Sequence, residues 1–174
     1  LKRPARLAAW AALVLWLAWV HALQERLGVQ EVFALVPPDL GMVLFVALLG
    51  VMRKRDLFPL AVLAAITRKS FSIDPSLAIL CGFLALAWVA SLLRELVELE
   101  SPPWRAALAA GGAAGLALWL EVVRYSRVGA ALPPVDTLLA LAFTSGLAAL
   151  ALGGLATRLP GLSPLTRIPR GVSP

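Results

Sequence analysis

Residues 36–55 read VPPDLGMVLFVALLGVMRKR. The run opens on Pro37-Pro38-Asp39 and carries no further charge until Arg53-Lys54-Arg55. Proline is tolerated in the first turn of a helix, and an aspartate there accepts free backbone N–H groups and suits the helix dipole. The stretch therefore predicts a helix over residues 38–52, ended abruptly by the three basic residues. At about 15 residues it is short for a membrane span, because about 20 are needed to cross about 30 Å of hydrocarbon. A still shorter apolar run, residues 57–67, follows and ends at Arg68 and Lys69. Two short apolar segments around a basic turn make either a tight helical hairpin or a re-entrant pair. Re-entrant backbone is tolerated only where other helices bury it.

The surrounding chain supplies such helices. Of 174 residues, 60% are apolar and 15% charged, against about 45–50% and about a quarter in soluble domains. A soluble domain of this size has too much surface to hide that excess. The composition excludes a soluble globule, a disordered tail and a disulfide-stapled module, and leaves an integral membrane protein. Longer apolar runs cover residues 7–23, 75–93, 104–123 and 135–157. Together with 38–52 and 57–67 they predict an all-α membrane domain of about six transmembrane helices occupying the whole chain, 1–174. Trp10 and Trp19 suit the two interfaces of the first helix, which is read as retained rather than cleaved. Residues 24–36 mix charges with apolar residues and read as a short surface helix or loop. Residues 94–100 keep an apolar stripe beside three glutamates, which predicts an amphipathic extension of the fourth helix. Residues 158–174 read as an extended, proline-rich cytoplasmic tail.

The formal charge of +6 follows the topology. With the N-terminus inside, the inner segments hold Lys2, Arg3, Arg6, Arg53, Lys54, Arg55, Arg94, Arg105, Arg158, Arg167 and Arg170. The outer segments hold Arg26, Arg68, Lys69, Arg124 and Arg127. This bias is the one expected when both termini are cytoplasmic. Orientation accounts for the basic excess, and no basic module for nucleic acid is present.

The chemistry of catalysis is sparse. The one histidine, His21, and the one cysteine, Cys81, have no partner nearby in sequence. No cluster has zinc spacing, and no glycine-rich phosphate loop appears. Thr144-Ser145-Gly146 lacks the pattern of a nucleophile elbow and reads as hydrogen bonding to backbone or to a neighbouring helix. The sequence thus assigns no catalytic, cofactor or metal residues. Its candidates are for structure or partners. Pro38 and Asp39 open the second helix. Glu121 and Arg124 lie one turn apart and pair on one helix face, as an outer contact or as a snorkelling interfacial pair. Gly111 and Gly115 have the spacing that lets helices approach closely, read as internal packing. Arg68, Lys69, Asp74, His21, Glu121 and Arg124 share the outer side, as solvated loop charges or as a small polar pocket.

The order of these features resembles the bacterial rod-shape-determining MreD family. The resemblance rests on Val36-Pro37-Pro38-Asp39-Leu40 opening the second helix and on the basic turn Arg53-Lys54-Arg55 with an apolar run after it. It continues through Asp74-Pro75-Ser76-Leu77 at the fourth helix, the charged turn over residues 98–102, and Glu121 late in the fifth helix. It covers residues 35–124. The chain departs from the family at Ala64-Ala65-Ile66-Thr67-Arg68-Lys69-Ser70, which is basic where the family is acidic. The resemblance is to a divergent member. It implies a non-catalytic inner-membrane scaffold of the cell-elongation and peptidoglycan-synthesis machinery. The partners it implies are an MreC-like protein, RodA with a penicillin-binding protein, and MreB filaments. The family is also similar to the substrate-binding subunits of energy-coupling-factor (ECF) vitamin transporters, which have six helices of uneven length. A small-molecule transporter subunit is therefore the alternative expectation. A third is an accessory subunit of a respiratory or photosynthetic complex.

Overall fold

The short pair is where the architecture is decided. In the computed structural model, which describes residues 3–29, 36–129 and 131–166, the chain forms α1 (Arg3–Val29), α2 (Leu40–Val51), α3 (Leu57–Lys69), α4 (Ser76–Leu93), α5 (Pro102–Val128) and α6 (Val135–Ala156). No strand occurs among these residues. Four of the helices, α1, α4, α5 and α6, are long and apolar enough to cross a membrane. At 12 and 13 residues, α2 and α3 reach only about 18–20 Å.

All of α2 except Leu40 is buried. It lies at the centre, packed against α1, α3, α5 and α6. Around it, α1, α3, α4, α5 and α6 follow one another as neighbours. A helix that is apolar on every side belongs in such a place. The core holds Leu13 and Leu17 of α1, Phe45 of α2, Leu60 of α3, Phe83 of α4 and Ala113 of α5. Phe45 and Phe83 meet edge to face, with ring centroids 4.9 Å apart. In lipid such packing is held by close van der Waals contact rather than by exclusion of water.

Local chemistry sets the start of α2 and both ends of α5. The Asp39 carboxylate accepts the Met42 N–H at 2.8 Å and caps α2. Pro102 and Pro103 occupy the first two positions of α5, where a missing N–H costs nothing. Gly129 stops that helix at φ 65°, with its N–H bonded to the Tyr125 carbonyl. This left-handed position favours glycine.

Three expectations change. First, α1 continues through Val29 instead of giving way to a surface segment at residue 24, and residues 30–35 lie outside the described set. Second, α4 stops at Leu93, and residues 94–100 form turns rather than an amphipathic extension. The turn is pinned on both sides: Arg94 donates to the Met52 carbonyl at 2.8 Å, and buried Leu99 lies against Gly50 of α2. Third, the described part of the tail is not free. Leu162 and Leu165 are buried, Trp16 donates to the Pro160 carbonyl, and Thr166 bridges to Met52. The segment closes one end of the bundle because its two leucines reach the core. Residues 167–174 lie outside the described set.

Candidate functional site

The antiparallel return of α3 along α2 places the last turn of α3 beside the first residue of α2. Arg68 and Asp39 meet there in an ion pair of 2.5 Å. Asp39 is 3% exposed. Its own N–H is bonded to the Ser145 hydroxyl of α6 at 3.0 Å. Gly41 N–H points at Gln24 Oε1 of α1, at 3.4 Å. Proline lacks an N–H, so Pro37 and Pro38 bring no donor into this interior. The N–H groups of Asp39, Gly41 and Met42 are met by α6, α1 and the Asp39 carboxylate in turn. The entry to α2 is therefore assembled from four parts of the chain.

His21, 5% exposed, completes the cluster. Its ring lies so close to Gly41 that a Cβ there would collide with it, and its centroid is 5.9 Å from that of Phe71. The buried Nε2 atom has no hydrogen-bond partner. Ser145 lies midway along α6, about 15 Å from either end, so this polar cluster is at mid-depth in the bundle. Ionisable groups at such depth are costly and mark the place where a membrane protein concentrates its constraints.

A second cluster forms nearer the rim. Arg124 bridges Glu121, at 2.7 Å on its own helix, and Asp74, at 2.8 Å across to the α3–α4 loop. Ser72 donates to Asp74 at 2.7 Å, and Lys69 donates to the carbonyls of Ser72 and Asp74. Partial burial pushes the Asp74 carboxyl up. The hydrogen bonds from Ser72 and Arg124 and the charges of Arg124 and Arg68 outweigh it and hold Asp74 below its usual range.

The expected Glu121–Arg124 pair is present, and Asp39 caps its helix as the sequence predicts. Arg68, His21 and Asp74 do converge on this half of the bundle, but in two clusters at different depths. Pro38 stands at the entry to α2. Gly111 and Gly115 are not in the interior. Both are exposed, with nothing within 4 Å of an added Cβ. Their neighbour Gly112 is the one packed inside, against Met42. Ser145 bonds to backbone outside its own helix, as its place in an apolar run predicts, with the Asp39 N–H as donor. Gln24 and the Arg68–Asp39 pair were not assigned from sequence.

At the opposite end of the bundle, Arg6 pairs with buried Asp56 at 2.6 Å, and Lys54 pairs with Glu95 at 2.5 Å. Arg94 and Arg105 lie at that end too, with the turn that holds Arg53 and Arg55. Among the described residues no group of three or more His, Cys, Asp or Glu side chains comes together to hold a metal ion. The chain matches no family model, no curated protein and no solved structure.

Proposed function

We propose that this chain is a non-catalytic scaffold subunit of the bacterial inner membrane, with six helices in the bilayer and both termini cytoplasmic. The observation that carries this reading is the outward face of α5. Ala107, Gly111 and Gly115 recur there at four-residue spacing and are exposed. Grooves of about 370 Å³ and 300 Å³ flank the face, against α4 and α6. A central helix already fills the interior, so the small-residue surface left over is on the outside. Small residues let a partner's helix approach closely, which is the main source of helix association in lipid.

By its resemblance to the MreD family, the partner is an MreC-like protein of the wall-synthesis machinery, with RodA and its penicillin-binding protein. Purification in mild detergent tests this. Recovery of MreC-like and wall-synthesis proteins supports it, and their loss in Gly111→Ile or Gly115→Ile, with the fold intact, localises the contact. Respiratory or photosynthetic subunits in their place would select the accessory-subunit reading and overturn this one. One observation favours a transporter subunit, the buried His21 Nε2 without a partner beside Asp39 and Arg68. A vitamin-like molecule and an ATPase module co-purifying with the chain would establish that reading.

A further inference from the structure

Arg105 is a buried cation that the fold does not neutralise. It sits in the first turn and a half of α5 and is 7% exposed. No described residue forms an ion pair with it, and its Nε atom is buried without a hydrogen-bond partner. The nearest acidic residues in sequence, Glu98 and Glu100, are exposed and make no ion pair among the described residues. Room for the guanidinium is built in, because it lies directly on Gly153 of α6, where a Cβ would collide with it.

A helical side chain leans toward the N-terminus of its helix and over the residue four positions earlier. For Arg105 that residue is Ser101, whose hydroxyl oxygen is likewise buried and without a partner. Pro102 and Pro103 have no N–H, so Trp104 is the first residue of α5 with a backbone donor to offer. A hydroxyl, a guanidinium and the positive end of a 27-residue helix thus lie together at the start of α5, where Ser101 Oγ and Arg105 Nε are both buried without a hydrogen-bond partner. That is the donor set that binds a phosphate. Its surroundings identify the source. Trp104 is exposed beside it, as an aromatic residue is at a membrane interface. The same end of the bundle carries Arg6, Arg53, Lys54, Arg55 and Arg94 against Asp56, Glu95, Glu98 and Glu100.

We propose that Ser101, Trp104 N–H, Arg105 and the Gly153 cradle form a receptor for the phosphate of an anionic lipid headgroup. The site is independent of whichever partner docks on α5. The test uses the full chain in vesicles of equal parts phosphatidylglycerol and phosphatidylcholine, with retained lipid weighed by native mass spectrometry. The wild-type chain is expected to keep phosphatidylglycerol over phosphatidylcholine by about tenfold. Arg105→Gln abolishes that preference, and Arg55→Gln, which removes an exposed cation at the same end, leaves it unchanged. Should Arg105→Gln fail to fold, Gly153→Ala, which displaces the guanidinium without removing its charge, is read in its place. Three results overturn the proposal: no preference in the wild type, an equal preference in the Arg105 or Gly153 variant, or an equal loss in the Arg55 variant. A thermal midpoint raised as far by inorganic phosphate as by phosphatidylglycerol would make free phosphate the ligand and overturn the lipid assignment.

Discussion

Asp39 and Asp74 are both aspartates at or just before the start of a helix, and each is joined to one arginine from another helix. Their settings differ in depth. The Asp39 side chain is 4% exposed and that of Arg68 19%, at the middle of the bundle. Asp74 and Arg124, at 12% and 39%, sit at the rim, where Glu121 and Ser72 share the load. The chemistry of the two pairs is alike, and the difference lies in what replaces a lost partner. At the rim, solvent does. At mid-depth it does not, because the Asp39 carboxylate is buried among packed helices and out of reach of solvent. One pair is a condition for α2 to enter the bundle, and the other fastens a loop.

The largest expected effect comes from separating the buried pair. Arg68→Gln leaves a buried carboxylate without its cation, and Asp39→Asn leaves the guanidinium without its anion. Each is expected to lower unfolding stability by about 3–5 kcal/mol, as read from denaturation in mixed micelles. The double variant should recover part of that loss, because no uncompensated charge remains. If each single change costs as little as a rim charge, the contrast between the two clusters fails.

Packing around the same aspartate gives the next effect. Gly41→Ala places a methyl group against the His21 ring and should cost about 1–3 kcal/mol. Adding His21→Ala should relieve most of the strain, so the two changes will not be additive. Ser145→Ala removes the acceptor for the Asp39 N–H and should cost about 1–3 kcal/mol, the penalty for a buried donor left unsatisfied. A strictly additive Gly41–His21 cycle would show that the ring is free to move aside and that the site is looser than its geometry.

The sequence is legible where the information is local. Prolines marked the starts of α2, α4, α5 and α6 to within two residues, and the basic turn marked the stop of α2. Asp39 read as a helix cap because capping is settled within three residues, and Glu121 with Arg124 because a helix brings such neighbours together. Arg68 was not legible as the partner of Asp39. The two are 29 residues apart, and their meeting depends on the length of α2, on the turn at residues 52–56 and on α3 ending level with the entry to α2. The Gly111–Gly115 spacing read as internal packing, whereas both glycines face outward with nothing packed on them. Which side of α5 faces inward is decided by where α2 lies, and Gly112, one position over, takes the inner role. The turn over residues 94–100 was hidden for the same reason, since its stripe of apolar residues fits a helix until Gly50 offers Leu99 a place.

The smallest effect belongs to the rim, and its dependence on pH distinguishes it most cleanly. Asp74→Asn removes one arm of the Arg124 bridge but leaves Glu121 and solvent, so its cost at neutral pH is expected to be below about 1 kcal/mol. The folded Asp74 carboxyl titrates below its usual range, net of burial, which acts the other way, because Ser72 and Arg124 favour its charged form. A depressed carboxylate binds fewer protons when folded than when unfolded, so stability rises with pH through that interval. The contribution is present above the ordinary aspartate value and is lost as the pH falls through the lowered one. Stability measured from neutral pH downward should therefore fall more gently in Asp74→Asn than in the wild type, and only in the acid range. The two curves should converge at the bottom of that range. Curves that stay parallel throughout would mean that Asp74 holds its loop by hydrogen bonding alone, and the rim would then differ from the centre in kind as well as in depth.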